Sequence, residues 1–135
     1  IAFGGGMTDG ITGGQLRAMG YEEPESVWEE ARRNIIESVM ANGGHLSSNL
    51  GMVELTVALH YVFDFPRDKV VFDVGHQCYA HKMLSGRAAG FAKLRKRGGV
   101  SGFPKREESA YDCYNTGHAG TSVSTFLARI TRSLP

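Results

Sequence analysis

Lys69-Val70-Val71-Phe72-Asp73-Val74-Gly75-His76 is the stretch from which the architecture of this 135-residue chain is best predicted. Its β-branched and aromatic side chains form a continuous run, which is typical of a strand buried on both faces of a parallel sheet. Gly75 ends the predicted strand. Ligands of open α/β sheets bind outside the carboxyl ends of the strands, so we expect His76 beside a ligand. A histidine that is hydrogen-bonded within a turn is the alternative.

Two helices are predicted before the strand. The first begins at a capping box, Ser26-Val27-Trp28-Glu29, and ends at Gly43-Gly44. Its predicted buried stripe consists of Trp28, Ala31, Ile35 and Val39, widened by Ile36 and Met40. The second helix covers residues 53–63, and Pro66 ends it. Its predicted buried residues are Leu55, Ala58, Leu59 and Val62.

The elements predicted after the strand are two short helices at 77–84 and 88–96 separated by Gly86, an ordered loop at 98–118, and a helix at 121–130. Long irregular loops in compact domains are usually functional. The order helix, helix, strand, helix predicts an α/β layer fold. We expect residues 1–24 to be a poorly structured lead-in and residues 25–135 to form one domain.

The composition is that of an ordinary globular protein. Hydrophobic residues make up 41% and charged residues 21%, which argues against disorder. The formal net charge of +1 argues against binding to nucleic acid or to an anionic membrane. No apolar run reaches the ~18 residues of a membrane span, and no secretory leader is visible. Cys78 and Cys113 are too few for a disulfide scaffold, so the expected location is the reducing cytoplasm.

Three of the five histidines directly follow a glycine, in the pairs Gly44-His45, Gly75-His76 and Gly117-His118. A glycine allows a sharp turn that projects the next side chain and brings main-chain N–H groups close to a ligand. Histidine donates, accepts and shuttles protons near neutral pH. The pattern therefore predicts functional loops. A helix starting at Thr121 would also present N–H groups and its positive dipole end to a phosphate, although an ordinary helix cap is the alternative.

Other chemically versatile residues have simpler interpretations. His60 lies within the second predicted helix, where a partly buried structural histidine is expected. Cys78 and His81 have no second pair at zinc-binding spacing, so no metal site is predicted there. The basic run at 93–97 is typical of a solvated helix face, with a phosphate contact as the alternative.

Several motifs follow one another along the chain, and together they cover about residues 25–124. They read GGHLSSNLG at 43–51, VELTVALH at 53–60, FDVGHQ at 72–77, HK at 81–82, SGFPKREES at 101–109 and TGH at 116–118. In this order they resemble the 1-deoxy-D-xylulose-5-phosphate synthase family.

The resemblance implies part of a thiamine-diphosphate-binding, transketolase-like domain, with parallel strands flanked by helices. It implies an enzyme that condenses pyruvate with glyceraldehyde 3-phosphate, releases carbon dioxide, supplies isoprenoid, thiamine and pyridoxal synthesis, and is a homodimer. Carried over by motif, the cofactor contacts are His76, Gly117, His118 and Ala119. His45 is the expected catalytic residue, placed near the substrate for proton transfer. We also expect His76 and His118 on the same side of the domain.

The chain departs from the family pattern in two respects. Ala119 and Gly120 stand where two serines are usual, so side-chain hydroxyls are replaced by backbone donors. The Gly-Asp-Gly segment and later Asn that hold Mg²⁺ in the family have no counterpart, nor has the glutamate that activates the cofactor ring. We therefore expect an N-terminal fragment that is inactive alone, with its metal ligands beyond this chain. A non-catalytic subunit that completes a site with a partner chain is the alternative.

Overall fold

A computed structural model describes residues 12–18 and 24–133 of the chain. Its α-helices are α1 (Gly13–Arg17), α2 (Pro24–Asn42), α3 (Ser47–Leu50), α4 (Val53–Val62), α5 (Tyr79–Lys82) and α6 (Ser122–Ser133). Tighter or wider helical turns occupy Gly75–Gln77, Met83–Arg87 and Ala88–Lys93. No helix in this part of the chain is both long and apolar enough to cross a membrane.

The predicted parallel strand is absent from the described residues, which contain helices but no strand. Residues 69–72 have no regular secondary structure, and only Phe72 among them is buried, while Val70 and Val71 are half-buried. A strand needs hydrogen-bond partners on a neighbouring strand. Because the described part of the chain provides no second strand, the apolar run has nothing to pair with there.

Helix α2 supplies the centre of the core. Its buried residues recur at helical spacing and are Val27, Ala31, Ile35 and Ser38, with Trp28 and Val39 packed against the core as predicted. Ile36 is 42% exposed and Met40 is 77% exposed, so the prediction that they widen the buried stripe is wrong. The helix begins at Pro24 rather than Ser26, because proline suits a first helical position that needs no N–H.

Helix α4 buries the face opposite to the predicted one. Its buried residues are Val53, Thr56, Val57 and His60, whereas Leu55 is 53% and Val62 is 70% exposed. The reason is that α1 packs against α4 on the side of His60. A Cβ built at Gly13 would lie only 2.6 Å from His60 Nδ1, so the two helices are in very close contact.

Part of the predicted lead-in is regular. Thr12 caps α1, accepting a hydrogen bond from the backbone N–H of Gln15, whose side chain accepts one from the Thr12 N–H. Arg17 then joins α1 to the end of α4 by donating to the Phe63 carbonyl at 2.9 Å and to Asp64 at 2.8 Å. The remainder of the lead-in, 1–11 and 19–23, lies outside the described residues.

The second half of the chain follows the sequence prediction more closely. Gly86, with a φ of +82°, interrupts the helical turn Met83–Arg87 before the turns of Ala88–Lys93 begin. The predicted loop at 98–118 has turns but no helix or strand. It crosses from the end of these turns to α6 and passes over α5, where the candidate site lies.

Candidate active site

The three glycine-histidine pairs converge in one cluster. The ring centroids of His45 and His76 are 5.1 Å apart, and those of His45 and His118 are 5.0 Å apart, both in edge-to-face geometry. The rings of His76 and His118 stack at 5.0 Å with an interplanar angle of 26°. His76 and His118 therefore lie on the same side of the domain, as the sequence predicts, and His45 joins them.

A backbone hydrogen bond joins two of the pairs. The Gly75 N–H donates to the Gly117 carbonyl at 3.0 Å. A Cβ at position 75 would lie 2.3 Å from Thr116 Cγ2 and 3.1 Å from Pro104 Cδ. Glycine is thus required at 75 because the side chains of Thr116 and Pro104 occupy the space of a Cβ, and the backbone hydrogen bond between Gly75 and Gly117 brings the stacked histidines next to each other.

The third pair is held by Tyr79. Gly44 has a φ of +148°, and a Cβ there would lie 2.9 Å from Tyr79 Oη. The backbone N–H of His45 donates to Tyr79 Oη at 3.3 Å, and the same oxygen lies 3.4 Å from His45 Nδ1. Burial raises the pKa of Tyr79, so its hydroxyl stays protonated and can pair with either tautomer of the neutral His45 ring, as donor to Nδ1 or as acceptor from Nδ1–H.

His45 is electrostatically suited to exchanging protons. Burial, followed by the neighbouring His76 and His118 and by the positive charge of Arg95, lowers the pKa of His45. Its imidazole is therefore neutral at pH 7. A neutral ring with one N–H and one acceptor nitrogen can either donate or accept a proton, as a general acid-base group requires.

Phe103 forms an apolar wall beside the histidines. Its ring centroid lies 5.5 Å from that of His45 and 5.0 Å from that of His118. The loop that carries Phe103 is anchored by Lys82, which is fully buried and donates to the Ser101 carbonyl at 2.9 Å and to Glu108 at 2.6 Å. Glu108 also accepts the Ser101 N–H at 2.7 Å.

A second ion pair holds the other side of the Phe103 segment. Arg87 donates to both carboxylate oxygens of buried Asp112, each at 2.7 Å, and Asp112 accepts the Lys105 N–H at 2.7 Å. Burial by itself would raise the pKa of Asp112, but hydrogen bonds from Arg87 and His81 hold that pKa well below its usual range. Asp112 is therefore a permanent anion at physiological pH.

His60 and His81 continue this cluster into the core. His81 Nε2 lies 3.4 Å from Asp112 Oδ1, and His81 Nδ1 lies 2.9 Å from His60 Nε2. Anionic Asp112 can only accept a hydrogen bond, so His81 donates its Nε2–H to Asp112. His81 Nδ1 then accepts a hydrogen bond from the Nε2–H of His60. Burial lowers the pKa of both rings, that of His60 to about 3, so both are neutral. The sequence predicts a partly buried structural histidine at position 60. The position of His60 agrees with a structural role, but the residue is almost completely buried.

The site has polar groups that suit a bound polar ligand. His76 Nδ1 is buried and has no hydrogen-bond partner among the described residues, and such a nitrogen is costly unless a ligand or water satisfies it. A Cβ at Gly117 would meet nothing within 4 Å, so the backbone there is open to a ligand. An unpartnered imidazole nitrogen and an open glycine backbone fit the diphosphate of a cofactor such as thiamine diphosphate.

The described residues do not bring side chains together into a metal site. Over residues 12–18 and 24–133, no group of three or more His, Cys, Asp or Glu side chains is arranged to hold a metal ion. Cys78 is fully buried, and burial raises the pKa of its thiol to about 12, so it stays protonated.

Two other predicted contacts lie at the edge of the site. Ala119 is exposed next to His118. Helix α6 begins at Ser122, and a Cβ at Gly120 would lie 3.2 Å from Asp73 Oδ1. A carboxylate at this position disfavours the predicted phosphate contact at the start of α6. Most of the basic run at 93–97 is solvent-exposed.

Sequence reasoning missed Tyr79, Phe103 and Asn49 as parts of this site. Tyr79 and Asn49 are almost completely buried polar residues in short helices, which apolar periodicity does not reveal. Phe103 lies in the loop at 98–118, which is long and therefore expected to be functional. The length of this loop was the sequence signal that could have identified Phe103.

Comparison with known proteins identifies the family. A family model described as 1-deoxy-D-xylulose-5-phosphate synthase matches residues 11–132. The synthase of Nitrosomonas europaea is 55% identical over 113 residues, which are 84% of this chain and 18% of that protein. The synthase of Bordetella petrii is 55% identical over 118 residues, covering 87% of this chain and 19% of the relative. The synthase of Treponema pallidum is 56% identical over 109 residues, covering 81% of this chain and 17% of the relative.

The chain thus spans about a fifth of the length of the curated relatives it matches. The region that the family model matches, residues 11–132, contains every glycine-histidine pair of the cluster. Because the family model covers nearly the whole sequence, the chain belongs to the 1-deoxy-D-xylulose-5-phosphate synthase family.

Proposed function

We propose that this chain provides the histidine cluster of an enzyme that condenses pyruvate with glyceraldehyde 3-phosphate and releases carbon dioxide. The observation that supports this function is the convergence of His45, His76 and His118, all within 5.1 Å of one another by ring centroid. Three histidines on glycine turns, beside an aromatic wall, form a site where a substrate can be enclosed and protons can be exchanged.

The cofactor contacts of the proposal are His76, Gly117, His118 and Ala119, which would hold thiamine diphosphate. The buried, unpartnered His76 Nδ1 and the open backbone at Gly117 support this assignment. When bound, the cofactor supplies the electron sink that protein side chains lack. The chain itself contributes hydrogen-bonding groups and, through Phe103, an apolar surface that limits the access of water.

His45 is the proposed catalytic residue. Its ring is neutral at pH 7 because its pKa is lowered, and the Tyr79 hydroxyl lies 3.4 Å from its Nδ1. The neutral ring has one N–H and one acceptor nitrogen, so it can donate a proton to a substrate oxygen and later recover it. Positioned proton transfer of this kind is typically worth ~100–10,000-fold in rate.

The remaining parts of the proposal concern what acts with this chain. The metal would be Mg²⁺, held by residues outside the described ones, and the working enzyme would be a cytoplasmic homodimer. The 135-residue chain by itself is expected to be inactive, since a diphosphate without its cation meets only N–H groups and histidine rings.

A chimera tests the function directly. Residues 12–133 replace the matching residues of the Nitrosomonas europaea synthase, and product formation from pyruvate and glyceraldehyde 3-phosphate is measured with thiamine diphosphate and Mg²⁺. We expect turnover by the chimera and none by the isolated chain. His45→Ala in the chimera should lower kcat by ~100–10,000-fold, whereas Met40→Ala, at a side chain 77% exposed, should not change it.

Two outcomes would contradict the proposal. A chimera that folds but forms no product would favour a non-catalytic subunit. Unchanged kcat in the His45→Ala chimera would remove His45 from the mechanism.

A further inference from the structure

We infer that Asn49 is a positioning residue that sets the location of His45 relative to His76. Asn49 lies in α3, and its side chain is almost completely buried, with the residue 1% exposed. The inference depends on the proposed function only in that the histidine cluster is called a catalytic site. Its geometric content, the relation between Asn49 and the two histidines, stands independently of the reaction.

The Asn49 side-chain amide contacts three backbone groups that belong to the site. Its Nδ2 donates to the His45 carbonyl at 2.7 Å and to the His76 carbonyl at 2.8 Å. Its Oδ1 accepts the backbone N–H of Tyr79 at 2.9 Å. One side chain therefore joins the segment after α2, the turn at Gly75–Gln77 and the start of α5.

These partners fix the orientation of the amide. Two carbonyl oxygens require two donors, and only the amide nitrogen has two hydrogens. The Tyr79 N–H requires an acceptor, which is the amide oxygen. Aspartate would have the same shape but would place an oxygen against two carbonyl oxygens, and alanine or leucine would remove all three of these hydrogen bonds.

The Asn49 side chain restrains the two histidines through their backbone carbonyls and restrains His45 also through Tyr79. Because Asn49 holds the carbonyls of both His45 and His76, it restricts the distance between the two Cα atoms. Tyr79, whose N–H the same amide binds, contacts the His45 ring through its hydroxyl. Asn49 thus restrains both the backbone and the ring partner of His45, and the observed centroid separation of 5.1 Å follows from these restraints.

The histidines provide the test, since they form two separate clusters. His60 and His81, with ring centroids 5.0 Å apart, are not among the hydrogen-bond partners of the Asn49 side chain and serve as an internal reference for the fold. Nuclear Overhauser cross-peaks between ring C–H protons are measured for both clusters in the full 135-residue chain. In Asn49→Ala we expect loss of the His45–His76 cross-peak and retention of the His60–His81 cross-peak.

Asn42→Ala is the matched control. Asn42 is also an asparagine that donates its side-chain amide to backbone carbonyls, those of Ser38 at 3.1 Å, Ala92 at 3.3 Å and Phe91 at 3.4 Å, and none of these bonds goes to a histidine of the cluster. Both cross-peaks should persist in this variant. If Asn49→Ala prevents folding, Asn49→Ser, which keeps one donor, replaces it and should weaken the His45–His76 cross-peak alone.

A His45–His76 cross-peak of unchanged intensity in folded Asn49→Ala would overturn the inference. Equal loss of both cross-peaks would also overturn it, because Asn49 would then support the fold in general.

The chimera described above gives a kinetic measurement. Asn49→Ala should lower kcat by about 100-fold, the cost of a misplacement on the order of 1 Å, with a smaller change in KM, and Asn42→Ala should lower neither. Unchanged kcat in the Asn49→Ala chimera would contradict a role in positioning. An inactive parent chimera would contradict the proposed function instead, and the cross-peaks would then decide the role of Asn49.

Discussion

Glycine has two different physical roles in this chain. At Gly44 the backbone adopts a positive φ of +148°, which side chains with a Cβ rarely tolerate. At Gly75 the reason is space, because Thr116 and Pro104 occupy the volume of a Cβ. At Gly117 neither reason applies, although the same glycine-histidine pattern occurs. The three glycine-histidine pairs thus differ in whether, and why, the structure requires a glycine.

We expect Gly75→Ala to destabilise the fold and Gly117→Ala to leave it nearly unchanged. The added methyl at 75 would lie 2.3 Å from Thr116 Cγ2, whereas at 117 it would meet nothing within 4 Å. Overpacking of this kind typically costs ~1–3 kcal/mol, and a substitution without contacts changes stability by less than ~0.5 kcal/mol. Urea unfolding measures both, and equal midpoints for the two variants would refute the steric explanation.

The helices show how far apolar periodicity is informative. In α2 the apolar residues lie mostly on one side, and the predicted stripe around Ala31 and Ile35 is buried. In α4 most residues are apolar, so two faces are suitable for burial, and packing against α1, α2 and α5 determines which one is buried. The face left exposed includes Leu55 and Val62.

Adjacent isoleucines in α2 provide a test of this packing. Ile35 is completely buried, and Ile36 is 42% exposed. Ile35→Ala should lower the free energy of unfolding by ~2–5 kcal/mol, because it leaves a cavity in the core. Ile36→Ala removes the same atoms from the surface and should cost under ~1 kcal/mol. Thermal or urea denaturation of the two variants would show losses of similar size if α2 were rotated from the described orientation.

The buried ionisable residues form a continuous cluster across the molecule. Lys82 and Glu108 lie at one end, Arg87 and Asp112 in the middle, and His81 leads to His60 at the other end. The cluster connects α4 and α5 to the loop that carries Phe103. The stability of the whole chain therefore depends on the protonation of groups that lie far from its surface.

We predict that the free energy of unfolding decreases as the pH falls below 6.5. Burial lowers the pKa of His60 from 6.5 to about 3, so between these values the unfolded chain binds a proton that the folded chain excludes. Protonation therefore favours unfolding, and His60 alone should account for about 2 kcal/mol between roughly pH 7 and pH 4.5. Asp112 makes its contribution only below pH 3.8, its ordinary pKa, where the unfolded carboxylate becomes protonated.

The corresponding variant is His60→Gln. It removes the titrating ring, so its stability should depend less steeply on pH over this range, even though its stability at pH 7 is lower. Urea titrations at several pH values measure the slopes. A variant with the same slope as the unchanged chain would show that His60 is not protonated on unfolding.

The sequence by itself determined which chemistry is available and much of the local structure. It indicated α2 with its main buried stripe, the break at Gly86, the long irregular loop at 98–118 and the placement of His76 and His118 on the same side of the domain, and its motifs carried the family resemblance. These features depend on local backbone preferences and short motifs, which neighbouring residues specify.

Only the tertiary structure decided which face of α4 is buried, that the apolar run at 69–74 is not a strand among the described residues, and that Asn49 joins three parts of the site. Each of these depends on partners distant in sequence. A β-branched run becomes a strand only beside another strand, and a buried amide is satisfied only where two carbonyls and an N–H from separate segments meet. Apolar periodicity indicates which residues can be buried, whereas the packing of the whole chain determines which of them are.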